Sequence, residues 1–166
     1  MRAAAVPASV TDAFQAFPMA GCTPLPARAK RAAVALTADE ESYSMWVAPT
    51  LDGGESIVVV GDGDARRGPF LGPQCGLGAR DESITTLGAA GFTTGARQGE
   101  LVAGRAPLGT EAVQIKFTDA VVTADVAAHG YFVVVHSRPV RNHPMWWFAG
   151  GTVTALDGNG DILARE

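Results

Sequence analysis

The sequence predicts a mainly β protein, an antiparallel β-sandwich or partly closed barrel preceded by two short N-terminal helices. From Tyr43 onwards, short runs rich in β-branched and aromatic residues are separated by Gly, Pro or Asp. Several of these runs alternate apolar and polar residues with a period of two, which is typical of strands with one wet face. No helical pattern lies between them, and this favours antiparallel pairing of neighbouring strands.

The first quarter of the chain has a different pattern, which predicts helices over residues 9–18 and 26–38. Each segment has apolar residues at helical spacing, and prolines with a glycine separate the two. These apolar residues are Val10, Phe14 and Phe17 in the first helix and Ala29, Ala33 and Leu36 in the second. We therefore divide the chain into an N-terminal helical segment, 1–41, packed on a β-sandwich-like domain, 42–166, with the two forming one folding unit.

The clearest strand pattern predicts a hairpin over residues 111–126. Its first strand is expected to bury every second residue, namely Val113, Ile115 and Phe117. Gln114 and Lys116 alternate with them and are expected to be exposed. Asp119 and Ala120 then fall where a tight turn is needed, and a second alternating strand follows.

Three other segments complete the β prediction. Residues 157–161, Asp-Gly-Asn-Gly-Asp, tolerate the positive φ angles of a turn and are expected to join the last two strands. Residues 57–60 and 132–135 are continuous apolar runs, which predict strands that are covered on both faces.

Composition excludes several classes of protein. A hydrophobic content of 47% with 18% charged residues indicates a packed globule and not a disordered chain. The net charge of −4 gives no general attraction to nucleic acid or to anionic membranes. No apolar stretch approaches the ~18 residues that a transmembrane helix requires, so we expect no membrane insertion by this segment.

The two cysteines, Cys22 and Cys75, bear on the compartment. They could form a disulfide, remain as two buried thiols, or include one reactive thiol. We predict the disulfide because an even number of cysteines fits an exported domain, although two free thiols in a cytoplasmic protein would give the same sequence. The N-terminus, with Met19-Ala20-Gly21-Cys22, lacks the continuous apolar core of a lipoprotein signal. We therefore expect the signal or anchor of an exported protein to lie outside these 166 residues.

Several short motifs follow one another in a recognisable order over residues 42–166. They are Trp-Val-Ala-Pro-Thr at 46–50, Gly-Gly at 53–54, Gly-Arg at 104–105, Gly-Tyr-Phe at 130–132 and Asp-Gly at 157–158. This order resembles that of extracytoplasmic domains found widely in actinobacteria, which often follow a membrane anchor. The resemblance implies a β-sandwich outside the cytoplasm and supplies no catalytic residues. A strand cysteine often follows the Gly-Gly turn in those domains, whereas this chain has Glu55-Ser56, so that disulfide is not carried over.

The residues give little support for catalysis or for a metal. No nucleophile elbow, P-loop, zinc-protease or dinucleotide-binding motif is present in the sequence. The histidines, His129, His136 and His143, recur every seven residues, so neighbouring ones would point to opposite faces of an extended strand. Carboxylates alternate with glycines at 61–64 and 157–161, but both segments are better explained as turns than as calcium loops. We expect no enzyme activity, no cofactor and no metal.

One segment, HSRPVRNHPMWWF at 136–148, is the candidate binding site. We predict that it binds a ligand or partner through five residues: Arg138, Arg141, His143, Trp146 and Trp147. Guanidinium groups pair with carboxylates or phosphates, and a partly exposed indole suits a sugar ring or a protein interface. The arginines and His143 are expected to face solvent, with one tryptophan buried. The alternative is a loop whose aromatic end merely completes the core.

These observations lead to a hypothesis for the function. We expect a non-enzymatic extracytoplasmic interaction or sensory domain of a bacterial cell-envelope protein, with an unknown protein partner or an anionic ligand. The first alternative is a module that binds an anionic or sugar ligand at residues 136–148. The second is a small hydrolase using His136 or His143 beside a carboxylate.

Overall fold

The computed structural model describes residues 5–16, 21–37, 41–62, 71–75, 80–94, 97–117, 119–139 and 152–166. Within these ranges the chain is mainly β, as predicted, with one α-helix and eleven strands. Their bounds are α1 (Ala8–Gln15), β1 (Lys30–Leu36), β2 (Ser42–Pro49), β3 (Glu55–Gly61), β4 (Leu71–Cys75), β5 (Thr85–Thr94), β6 (Arg97–Arg105), β7 (Ala112–Lys116), β8 (Val121–Asp125), β9 (Tyr131–Pro139), β10 (Thr152–Leu156) and β11 (Ile162–Arg165). The part of the chain described contains no helix long and apolar enough to cross a membrane.

The described strands form three antiparallel sheets. The first sheet has the order β1-β2-β3-β4, the central sheet β5-β6-β9, and the third sheet β11-β10-β7-β8. None of these sheets closes into a barrel within the described ranges. The predicted antiparallel β fold is therefore confirmed, whereas the finer prediction of a two-sheet sandwich is not.

In the central sheet, strands β6 and β9 are buried on both faces. One face contributes Leu101, Ala103, Val133 and Val135 to a core shared with Tyr43, Met45, Ile57 and Val59 of the first sheet. The other face contributes Val102, Phe132 and Val134 to a core shared with Val113, Ile115, Val153 and Ala155 of the third sheet. Successive residues of a strand point to opposite faces, so a strand in this position must be apolar throughout. The prediction that residues 132–135 are covered on both faces is thus confirmed.

Helix α1 covers the outer face of the first sheet. Val10 and Phe14 of the helix pack on Val58 and Val60 of β3. The prediction that residues 57–60 are covered on both faces is therefore confirmed too, because Ile57 and Val59 face the central sheet. The first predicted helix exists, although it ends at Gln15.

The second predicted helix, over residues 26–38, is wrong. A short 3-10 turn at Pro26–Arg28 leads into β1, which pairs with β2. Ala33 and Ala35 are buried while Leu36, expected on the buried stripe, is 68% exposed. Alanine has a high helix propensity, but that preference amounts to less than about 1 kcal/mol per residue. Strand pairing with β2 and burial of every second alanine outweigh it, so segment 1–41 contributes a strand to the first sheet.

Both predicted hairpins are confirmed. In β7, Val113, Ile115 and the following Phe117 are buried, while Gln114 and Lys116 are exposed. The β10–β11 turn is stabilised by Asp157, whose Oδ1 accepts hydrogen bonds from the backbone N–H groups of Asn159 and Asp161. Gly160 in this turn has a φ of 85°, a conformation that glycine adopts without steric cost.

The disulfide between Cys22 and Cys75 is present, as predicted. It joins the segment after α1 to the end of β4, and the two Cα atoms lie 6.1 Å apart. Cys75 is opposite Ser56 in the β3–β4 pairing, so the bridge attaches the N-terminal segment to the first sheet. The two cysteines are 53 residues apart in sequence, and closing such a loop restricts the unfolded chain.

The β7 register predicts unequal effects of two neighbouring substitutions. Phe117→Ala removes a buried ring and should lower the free energy of unfolding by about 3–5 kcal/mol through cavity formation. Lys116→Ala changes an exposed side chain and should cost less than about 1 kcal/mol. Urea denaturation followed by circular dichroism measures both values. Equal costs, or a larger cost for Lys116→Ala, would contradict this register.

Reduction of the disulfide should destabilise the protein by about 3–4 kcal/mol in the chain-entropy account. Thermal unfolding with and without a reductant measures the change. The Cys22→Ala/Cys75→Ala variant is the control, because reductant should leave its melting temperature unchanged. Two thiols that titrate in the native, unreduced protein would contradict the bridge.

Candidate functional site

The predicted binding segment begins on β9 of the central sheet. His136 and Arg138 belong to this strand, and so their backbone is fixed by pairing with β6. Arg141, His143, Trp146 and Trp147 lie outside the described residues. The structure therefore locates one of the five predicted binding residues, Arg138, together with the neighbouring His136.

Arg138 is not mostly solvent-facing, contrary to the prediction. Its side chain is 17% exposed, and its Nη1 lies 2.6 Å from Oδ1 of Asp119 in the β7–β8 connection. The segment was expected to be a loop at this point, but β9 continues to Pro139 and holds Arg138 against the third sheet. A proline at the end of a strand stops the pairing there, but the residues before it can still pair.

The same Asp119 oxygen also contacts His136. The His136 Nε2 atom lies 3.2 Å from Asp119 Oδ1, and the Phe117 ring stacks on the imidazole with 5.4 Å between ring centroids. Burial alone would raise the pKa of Asp119, but the hydrogen bond and charge of Arg138, together with His136, outweigh it. The pKa of Asp119 therefore lies below its usual range.

A buried carboxylate completes the group. Glu100 of β6 is opposite His136 in the β6–β9 register and only 1% exposed. Neither of its carboxylate oxygens has a hydrogen-bond partner in the part of the chain that the structure describes. The pKa of Glu100 is raised to about 6, mainly by burial. The charge of Arg138 opposes this rise, and the charge of Asp119 adds to it. We call Glu100, Asp119, His136 and Arg138 the charged cluster.

The fold explains why these four residues meet. Directly opposite residues of an antiparallel pair point to the same face, and so Glu100 and His136 share one face of the central sheet. Val102 and Val134 are two residues away on the same face and belong to the core with the third sheet. The charged cluster is therefore the polar end of that apolar layer.

Sequence reasoning missed Glu100 and Asp119. Asp119 was predicted only as a turn residue, and Glu100 was not predicted as a site residue. The signal for Glu100 was its place at the start of the run Glu-Leu-Val-Ala, because a strand covered on both faces leaves no solvent for a charge. Its partners could not be found without the register between β6 and β9.

In the charged cluster, the imidazole of His136 contacts the carboxylate of Asp119 through Nε2. A histidine that acts as a general base commonly uses Nε2 on the substrate while a carboxylate holds Nδ1. Here Nε2 contacts Asp119, whose same oxygen lies closer to Arg138. No set of three potential ligands from His, Cys, Asp and Glu that could hold a metal occurs among the residues described.

The buried carboxylate predicts an unusual pH dependence of stability. Unfolded Glu100 loses its proton near 4.5, whereas the folded protein holds it until about pH 6. Since the folded state binds more protons in this window, the free energy of unfolding should fall as pH rises from 4.5 through 6. The pKa change corresponds to ~2 kcal/mol.

Glu100→Gln tests this dependence because it removes the titrating group and nearly preserves the shape. Relative to the wild type, the variant should gain ~2 kcal/mol between pH 4.5 and pH 7.5, as measured by urea denaturation. Glu82→Gln, at an exposed position, is the matched control and should follow the wild type. Parallel curves for the wild type and Glu100→Gln would contradict the prediction.

The chain matches no known protein family, no curated protein and no solved structure. Its resemblance to actinobacterial extracytoplasmic domains therefore remains a prediction based on turn and core residues. Among the described residues, the charged cluster is the part of the structure that least resembles scaffold.

Proposed function

We propose that this chain is a non-enzymatic extracytoplasmic interaction or sensory domain of a bacterial cell-envelope protein, and that it recognises a protein partner. The proposed binding surface is formed by Arg138, His136 and Asp119 with the segment that follows β9. Arg141, His143, Trp146 and Trp147 belong to this segment in sequence and remain predicted binding residues. Within a β-sandwich-like arrangement, such a surface would lie at one end of the layers.

The observation that carries this proposal is the ion pair between Arg138 and Asp119. A side chain held by a carboxylate loses little further freedom on binding, so a partner gains affinity from the fixed guanidinium. Arg138 lies on a strand of the central sheet, and Asp119 remains 46% exposed beside it. Arginine next to aromatic residues is a common composition of binding hot spots, and Trp146 and Trp147 follow closely in sequence.

The disulfide supports the extracytoplasmic part of the proposal. Disulfides persist in oxidising compartments and are rare in the cytoplasm of mesophiles. The bridge joins Cys22, close to the N-terminus, to the β body. Outside the cytoplasm, the bridge would keep the N-terminal segment and α1 attached to the first sheet.

A protein partner is favoured over a small anion by charge. Arg138 is already paired with Asp119, and Glu100 adds a second carboxylate to the charged cluster. A free anion would therefore meet little excess positive charge and would have to compete with Asp119. A protein surface can instead complement both signs and add apolar contact area. The hydrolase alternative is less well supported, because Asp119 engages Nε2 of His136.

A binding comparison separates these functions. The protein is titrated by calorimetry against the extracellular regions of proteins encoded beside its gene, and against a sulfated polysaccharide as an anionic probe. Binding of one such protein should weaken at least tenfold in Arg138→Ala, since a paired guanidinium at an interface centre is worth more than about 1.4 kcal/mol. Arg165→Ala, at an exposed position on β11, is the matched control and should bind as the wild type does.

Three outcomes would overturn the proposal in whole or in part. Polysaccharide binding that depends on Arg138, with no protein partner bound, would make the chain a module for anionic ligands. Ester or amide hydrolysis that is lost in His136→Asn but retained in Arg165→Ala would make it an enzyme. A cytoplasmic location of a reporter fused to the full-length product would exclude the proposed extracytoplasmic location.

A further inference from the structure

Arg138 lies where two carboxylates compete for one guanidinium. In the structure Asp119 Oδ1 lies 2.6 Å from Arg138 Nη1, and the Asp119 carboxylate is partly exposed to solvent. Glu100 lies on the same face of the central sheet, is almost fully buried and has no hydrogen-bond partner for either oxygen. The two carboxylates therefore differ greatly in what each gains from a cation, because water stabilises one of them and not the other.

The unpartnered state of Glu100 is compatible with a neutral carboxyl and costly for a carboxylate. A buried charge without hydrogen bonds has to be neutralised or paired. Among the residues that the structure describes, the charged and titratable groups that face Glu100 are Arg138 and His136 from β9 and Asp119 from the β7–β8 connection. Strand β5, on the other side of β6, has no titratable residue in its sequence, and Lys116 of β7 is exposed, on the face opposite the buried side chains of that strand.

We propose that the charged cluster is a proton-operated switch, in which loss of the Glu100 proton to solvent draws Arg138 from Asp119 to Glu100. In the protonated state Arg138 pairs with Asp119, as the structure has it. In the deprotonated state Arg138 and Glu100 form a buried pair, and Asp119 is left as an exposed carboxylate beside His136. The switch rests on the proposed function for its role, since it would change the charge that the binding surface presents to a partner.

The pKa of Glu100 supports a transition at a pH at which the protein remains folded. Burial raises the pKa of Glu100 to about 6, so its proton is exchanged in a pH range that proteins meet without unfolding. The charge of Arg138 lowers that pKa, which means that the two groups already interact across the cluster. A two-state element of this kind needs only a few kcal/mol between its states to respond to a signal.

Nuclear magnetic resonance of the protein alone tests the switch. With ¹³C-labelled glutamate and ¹⁵N-labelled arginine, the Glu100 carboxyl and the Arg138 guanidinium are followed between pH 5 and pH 8. The Arg138 signals should change with the same midpoint as the Glu100 carboxyl, near pH 6. Arg138 signals that stay constant while Glu100 titrates would overturn the switch, and so would a Glu100 carboxyl that titrates at its ordinary pKa.

Two variants test the coupling between Glu100 and Arg138 from each side, so the result does not depend on a single substitution. In Glu100→Gln the Arg138 transition should disappear, while in Arg138→Met the Glu100 midpoint should rise by a measurable amount because a cation has been removed. Glu82→Gln is the control and should keep the wild-type transition. An unchanged Glu100 midpoint in Arg138→Met would show that the two groups are not coupled. Since no partner is present, failure of this titration would leave the proposed interaction function standing, and failure of the binding comparison would leave the switch standing.

Discussion

The burial of strands β6 and β9 of the central sheet on both faces is the constraint on which the rest of the structure depends. Strands of this kind have no solvated side, so each of their faces needs a further layer to cover it. The first sheet covers one face and the third sheet covers the other, and α1 in turn covers the outside of the first sheet. The run Phe132–Val135 meets this requirement, because all four of its residues are apolar and can be buried on either face.

The same constraint gives the charged cluster its chemical properties. Glu100 and His136 continue the face of Val102 and Val134, so they stand at the end of an apolar layer and not on an open surface. Electrostatic interactions are stronger in such surroundings than in water, and an unpaired carboxylate there costs more. A buried group that lowers the stability of its own fold near neutral pH is unexpected in a scaffold, and such groups concentrate at functional sites.

The local patterns of the sequence predicted the strands and hairpins well and failed where partners decide the outcome. Alternation in 112–117 was sufficient for the β7 register, because the period of two fixes which side chains are buried. The Ala-rich segment 26–38 was wrong because alanine fits a helix or a strand, and pairing with β2 decides between them. Glu100 belongs to β6, Asp119 to the β7–β8 connection and Arg138 to β9, so only the order β5-β6-β9 and the packing of the sheets bring them together. The identity of a binding partner leaves no comparable trace in either the pattern or the described fold.

The disulfide and the charged cluster are independent features that favour the same sensory interpretation. The disulfide is compatible with an oxidising compartment, where a domain would meet the pH of its surroundings. In the cytoplasm the bridge would be exposed to reductants and a titration near pH 6 would seldom be used. Outside it, the bridge would hold the fold while Glu100 gains or loses a proton. The disulfide would thus keep the domain folded as conditions change, and the proposed switch of the charged cluster would respond to that change.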